Sequence, residues 1–135
     1  MEKKFVSSGS PFEEAGGYSR AVVYGREVLV SGTVGYDPLI KGFAASAGAQ
    51  AERAIDIIEK ALWEVNGKLI DVVRVRVYIA DIADVPAISE VVRRRLGPAR
   101  AANTTICSPL AVADAKVEIE VDARVVQPVM PGYER

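Results

Sequence analysis

The chain of 135 residues contains no histidine and a single cysteine, Cys107. Without histidine, imidazole acid–base chemistry, Ser-His-Asp and Cys-His arrangements and histidine-bearing zinc sites are all excluded. One cysteine cannot form an intrachain disulfide or a thiolate metal cage, and a lone thiol suits a reducing compartment. No stretch reaches the roughly 18 apolar residues that a membrane span requires. Met1-Glu2-Lys3-Lys4-Phe5 leads into mixed polar sequence rather than a signal peptide. The expected location is cytoplasmic.

Neither sign of charge is in excess. The 17 basic and 18 acidic residues are interleaved, for a formal net charge of −1. Such a surface has no strong field for nucleic acid or anionic membrane, so neither is an expected partner. Arg93-Arg94-Arg95 is the only basic run, and it fits a solvated helix face. Gly9 and Gly16-Gly17 do not follow a strand and open a helix as a dinucleotide fingerprint requires. Chemistry is therefore left to carboxylates, tyrosine, lysine, hydroxyls, backbone groups or bound water. No cofactor and no metal are expected.

What is present is a core. Half the residues are hydrophobic, and the length fits one domain spanning residues 1–135. That apolar content in a small chain suggests that part of its surface is hidden between subunits.

Residues 20–24 and 28–31 are β-branched runs around Gly25-Arg26-Glu27 and predict a hairpin. From Ser46 to Val65, apolar residues recur at three- and four-residue steps, the stripe of an amphipathic helix stopped by Asn66-Gly67. Residues 71–81 alternate, with Val73, Val75, Val77 and Ile79 assigned to one face and Val72, Arg74, Arg76 and Tyr78 to the other. Asp84, Pro86 and Gly97-Pro98 bracket a second helix. Strands are expected over residues 103–107 and 117–126, with an irregular tail from Gln127 to Gly132. The order predicts an α+β fold, a mixed sheet with two helices packed on one face. The other face would need a partner.

Glu118, Glu120 and Asp122 project from one face of the last strand. They fit a solvated face balanced by Arg124, Arg74 or Arg76. Spacing alone favours that reading; the alternative is that one carboxylate is partly buried and positions a water or donates a proton. Arg20 and Tyr18 carry similar alternatives. Arg20 is either a surface cross-strand arginine or a group that reaches a cleft. Tyr18 is either interface packing or a ligand contact.

Several segments in order resemble one family. They are Gly17-Tyr18-Ser19-Arg20-Ala21, Val30-Ser31-Gly32, Gln50, residues 71–75, and Arg100-Ala101-Ala102-Asn103-Thr104-Thr105 followed by Val117-Glu118-Ile119-Glu120-Val121. Together they resemble the RidA/YjgF (reactive-intermediate deaminase, endoribonuclease L-PSP-like) family. The resemblance implies a chorismate-mutase-like subunit, a homotrimer with clefts between subunits, and a small-molecule metabolite as ligand. It implies hydrolysis of reactive enamines or imines, such as 2-aminoacrylate, to a keto acid and ammonia.

By the same resemblance, Glu118 orients the attacking water, and Tyr18 and Ser31 line the cleft. Asn103 stands where members carry an arginine that forks the substrate carboxylate. Thr105 stands in place of a cysteine, Ser89 of an asparagine and Thr33 of a glutamine. Asn103 and Thr105 remain candidate binding residues, and Arg20 or Arg100 is a candidate replacement for the missing guanidinium, with Arg20 taken as the binding residue. The alternative is a divergent relative without deaminase activity that binds or hydrolyses a different small metabolite.

Overall fold

The computed structural model describes residues 2–129. Eight strands and three α-helices follow one another as β1 (Lys3–Val6), α1 (Pro11–Gly16), β2 (Ala21–Tyr24), β3 (Glu27–Val34), β4 (Tyr36–Asp37), β5 (Gly42–Phe43), α2 (Ala47–Glu64), β6 (Val72–Ile79), α3 (Val85–Leu96), β7 (Ala102–Cys107) and β8 (Val117–Arg124) among the described residues. Six strands form one mixed sheet in the order β1-β2-β3-β8-β6-β7, in which β6 and β7 run parallel and the other pairs antiparallel. The parallel pair follows from α3, since a helix between two strands lets the second run beside the first in the same direction.

The expected α+β fold, with its two long helices on one face of a mixed sheet, is the observed one. The alternation in β8 places Val117, Ile119, Val121 and Ala123 fully inside, against Ile55, Ile58 and Leu62 of α2 and Ile88 of α3 in one continuous core. Each of these Val, Ile and Leu side chains contributes roughly 1.5–3 kcal/mol by leaving water. Ser46 accepts a hydrogen bond from Ala49 N to cap α2. Asn66 turns left-handed (φ 68°) at its end, where the Gly67 amide bonds back to the Leu62 carbonyl at 2.7 Å. Close approach explains Gly35 after β3, where any Cβ would lie 2.3 Å from the Gln50 carbonyl oxygen.

Several local expectations are corrected. Val72 is buried and Val73 half exposed, because the ladder between β6 and β8 shifts register between Val72 and Arg74. That bulge reverses the predicted faces at the strand's start. Asp84 occupies the N-cap of α3 without a side-chain bond, and the capping side chain nearby is Asp81, which accepts from Ala83 N. β1, α1 and the small β4–β5 hairpin were not expected. The irregular tail is observed through Val129, whose amide bonds to the Val65 carbonyl. The remainder of that tail, from Met130 to Gly132, lies outside the described residues.

On the side of the sheet away from the helices, Phe5, Val22, Leu29, Asp122, Arg74 and Ala102 line up as one cross-strand row. Phe5 and Leu29 are about half exposed there. The face is apolar toward β1–β3 and charged toward β8–β6.

Candidate functional site

Between β1 and β2 the chain leaves the sheet and makes one wall of a cleft. Ser10-Pro11-Phe12-Glu13 carries the spacing of a helix start, with a capping hydroxyl, proline in the first turn and an acid three residues on. Ser10 Oγ accepts from Phe12 N at 3.1 Å, and α1 follows for less than two turns. Glu13 is buried, and Ser7 Oγ, Ser8 N and Ser8 Oγ all donate to its carboxylate.

Arg20 is also buried, at 6% exposure, which overturns its reading as a surface arginine. Its Nη1 donates to Thr33 Oγ1 at 3.0 Å and Nη2 to the Gly32 carbonyl at 3.2 Å. Its Nε lies 3.7 Å from Glu13 Oε2, and its guanidinium sits over the Tyr18 ring at 5.5 Å. Desolvating a guanidinium is costly, so the nearby carboxylate is a condition of its burial.

Those contacts fasten an irregularity in β3. The register against β8 shifts between Val30 and Thr33. Ser31 Oγ donates to the Ser19 carbonyl at 2.6 Å and Thr33 Oγ1 to the Ser31 carbonyl at 2.7 Å. Ser31 is thereby used in holding the bulge. Gly32, within it, lies against Glu118, and a methyl group there would meet the Glu118 carboxylate at 3.0 Å. Glycine at this position leaves room for the carboxylate.

Glu118 is partly buried. Burial and, secondarily, the charge of Glu120 push its carboxyl above the ordinary glutamate range, while the Arg20 charge opposes them. Its two acidic neighbours on the strand behave differently. Arg76 pairs with Glu120 at 3.8 Å and with Asp122 at 3.6 Å, and Tyr78 donates its hydroxyl to Glu120. That bond raises the Tyr78 pKa first, with burial adding to it. The balanced polar face therefore describes Glu120 and Asp122. Glu118 is the carboxylate set apart, without an ion pair within 4.0 Å among the described residues.

Glu118, Gly32, Tyr18 and Arg20 open into one cleft of about 440 Å³. It passes beneath residues 6–12 to the flank of α2, where Arg53, Ile57 and Lys60 line it. Phe12 and Tyr36 meet edge to face at 5.6 Å in its wall, and Arg53 Nε donates to the Tyr36 carbonyl. A concave, mainly apolar site with a few convergent polar groups is the usual form of a small-molecule site.

Asn103 and Thr105 lie elsewhere in the subunit. Both are exposed on the edge strand β7, where Thr105 Oγ1 donates to Asn103 Oδ1 at 2.9 Å. Two strands, β6 and β8, separate β7 from β3. Asn103 and Thr105 pair with Val75 and Val77, whereas Glu118 pairs with Tyr78 on the alternate set. Cys107 is exposed on the same strand. Gln50 is buried as a brace, donating to the Ala44 and Asp114 carbonyls and accepting from Lys116 N.

Sequence reasoning missed the wall formed by residues 6–12, together with Glu13 and Gly32. The Ser-Pro-Phe-Glu spacing was the available signal for the wall. Among the described residues, no group of three or more acidic or cysteine side chains is arranged to hold a metal ion, and no helix is long and apolar enough to cross a membrane.

Comparison with known proteins agrees with this architecture. Residues 9–125 match the family described as Endoribonuclease L-PSP. A RutC family protein encoded in the leuC 5' region of Leuconostoc mesenteroides subsp. cremoris is 30% identical over 131 residues, covering 91% of this chain and 98% of the relative. A rat protein named 2-iminobutanoate/2-iminopropanoate deaminase is 31% identical, covering 90% of this chain and 89% of its own. A crystal structure from Mycobacterium tuberculosis, of a member of the YjgF/YER057c/UK114 family, superposes with a TM-score of 0.82 at 38% identity, over 92% of this chain and 100% of that one. The fold, the order of the motifs and these matches together mean that the chain belongs to the RidA/YjgF (endoribonuclease L-PSP) family.

Proposed function

We propose that this protein hydrolyses a reactive enamine or imine in the cleft at Glu118. The observation that carries this reading is the seating of Glu118 against Gly32, partly desolvated and beside Arg20 and Tyr18. A carboxylate held away from ion pairs can take a proton from water near neutral pH and return it later. In this reaction water adds across the C=N bond of the imine tautomer, and Glu118 removes its proton. That proton passes to nitrogen to complete the carbinolamine; on collapse Glu118 relays the carbinolamine's hydroxyl proton to nitrogen as the C–N bond breaks, which releases ammonia and leaves the keto acid. Tyr18 and Arg20 line the approach, and the deaminase name of the rat relative supports the reaction class.

The protein acts as a homotrimer in this reading, with the exposed strand β7 of one subunit bringing Asn103 and Thr105 to a neighbour's cleft. The half-exposed Phe5 and Leu29 on the open sheet face support such an assembly, since exposed apolar side chains grouped on one face favour a subunit contact. The test is ammonia release from freshly generated 2-aminoacrylate. Wild-type protein accelerates it and Glu118→Ala does not; no acceleration by the wild type overturns the reading.

A second reading keeps the cleft and changes the ligand. Asn103 motivates it, because a neutral amide cannot fork a carboxylate as a guanidinium does. Thermal-shift screening separates the two: the second reading requires stabilisation by metabolites other than imino or keto acids.

A further inference from the structure

Glu118 and Glu120 stand two residues apart on one face of β8, about 7 Å from each other by strand rise. Carboxylates that close do not titrate independently, and the one with fewer donors takes the first proton. The ladder between β6 and β8 decides which one that is. Arg76 lies directly opposite Glu120, and Tyr78 directly opposite Glu118. The Tyr78 hydroxyl nevertheless crosses diagonally and donates to Glu120. Arg76 Nη1 adds a charge 3.8 Å from Glu120, shared with Asp122 at 3.6 Å. Glu118 receives neither donor, although Tyr78 is its own cross-strand partner.

The remaining surroundings of Glu118 leave that difference in place. β3 meets the two carboxylates with the bulge at Ser31-Gly32, which carries no charge. Tyr18 and Arg20 approach from the segment leading into β2, and the Arg20 guanidinium is occupied by Thr33, the Gly32 carbonyl and Glu13 of α1. Burial and then the Glu120 charge favour the protonated form of Glu118, and the Arg20 charge opposes them. α2 packs on the opposite face of β8, and its cleft residues Arg53, Asp56, Lys60 and Glu64 present two charges of each sign. In the proposed trimer the residues that β7 would bring, Asn103 and Thr105, are uncharged. A covering subunit would take water from both carboxylates, at greater cost to the one without a donor.

From this arrangement we infer that Tyr78 and Glu120 are positioning residues for the proposed hydrolysis. Tyr78 holds Glu120 as the ionised neighbour, which leaves Glu118 as the carboxylate that exchanges a proton with water and substrate. The inference rests on the reading of Glu118 as the reacting group. Tyr78 is suited to the task because its bond to Glu120 makes its own proton harder to remove than an ordinary phenol's, with burial adding to the effect. It therefore stays a donor. Neither residue needs to touch the ligand, since both act through Glu118.

The test reads Glu118 directly, by NMR titration of the full chain labelled at the glutamate side-chain carboxyl carbons. Glu118→Gln identifies its signal. Glu120→Gln, which removes the like charge, moves the Glu118 midpoint to lower pH. Tyr78→Phe removes only the hydroxyl, so the pair shares its proton and the Glu118 titration broadens over a wider pH range. The acid limb of ammonia release from freshly generated 2-aminoacrylate follows the Glu118 signal in both variants. A Glu118 midpoint that Glu120→Gln leaves in place, or a titration that Tyr78→Phe leaves as sharp as in the wild type, overturns the inference. Titrations as expected, with no ammonia release by the wild type, sink the reading of Glu118 as the reacting group. They leave its selection as the proton-exchanging carboxylate standing.

Discussion

The Arg20 guanidinium donates to Thr33 Oγ1 at 3.0 Å and, through its other terminal nitrogen, to the Gly32 carbonyl at 3.2 Å. It thereby spans the bulge that seats Glu118. Two positions 13 residues apart act as one support for the candidate catalytic carboxylate. Arg20 is thus a positioning residue as well as part of the cleft lining, and its charge is balanced by Glu13.

Removing that charge exposes the balance. Arg20→Met leaves Glu13 buried beside an apolar side chain and should cost about 3 kcal/mol, since one partner of a buried pair is lost. Glu13→Gln in the same chain recovers part of the loss. Urea unfolding of the two single variants and the double variant measures the coupling.

In the proposed reaction Glu118 sets the acid side of the pH profile. Its carboxyl is raised by burial first, so in the folded protein the ionised form is disfavoured relative to the unfolded chain. That cost is present at pH above the folded-state pKa and disappears as pH falls below the ordinary value of 4.5. Glu118→Gln should raise the melting temperature at neutral pH, with the gain vanishing on acidification. The same substitution should lower kcat/KM about 10²- to 10⁴-fold. In the wild type, activity falls on acidification at a pH above the ordinary carboxylate range. Arg20→Gln moves that limb higher, because the Arg20 charge holds Glu118 down.

Gly32→Ala tests the seat itself. The added methyl would meet the Glu118 carboxylate at 3.0 Å, so the side chain must move. Displacement of a reacting group by about 1 Å can cost on the order of 10²-fold in rate. The expected variant is folded by circular dichroism, with kcat reduced at least tenfold.

The open sheet face makes a prediction about assembly. Leu29, 46% exposed, sits in the middle of the cross-strand row between Val22 and Asp122. Leu29→Asp should break the proposed trimer into monomers, read by sedimentation equilibrium, because a charge buried in the subunit contact opposite the like charge of Asp122 is unpaired. If Asn103 and Thr105 complete a neighbour's cleft as proposed, ammonia release falls with it.

On the opposite side, Glu52 of α2 receives Arg94 and, at 2.8 Å, Arg95 of α3. These bonds hold its carboxyl below the ordinary range. The stabilisation is present above the ordinary glutamate pKa and is lost as pH falls through the lowered one. The pair is solvent-exposed, so Glu52→Ala should cost only about 0.5–1 kcal/mol, less in high salt.

Much of the frame was legible from local pattern. α2 and β8 were read closely because their periods are set by the geometry of one element, and a single buried face imposes that pattern on the sequence. β1 escaped notice because Lys3-Lys4-Phe5-Val6 is a short edge strand with one buried residue, Val6. The start of β6 was misread because Val72 and Val73 are both valines, and the bulge that separates their faces is a property of pairing with β8.

The sequence by itself determined the chemistry that is excluded, the family, and the layered α+β frame. Composition and short-range periodicity are local quantities and carry the exclusions and the frame directly, whereas the family is carried by the resemblance of its motifs. Only the tertiary structure decided that Arg20 is buried, that Ser31 and Gly32 form a bulge, and that Glu118 stands apart from Glu120 and Asp122. Those outcomes depend on Glu13, on the contact between Arg20 and Thr33, and on Arg76, groups distant along the chain that are brought near only when the sheet closes. Desolvation and pairing belong to the assembled surroundings of a charge, and spacing along one strand does not record them.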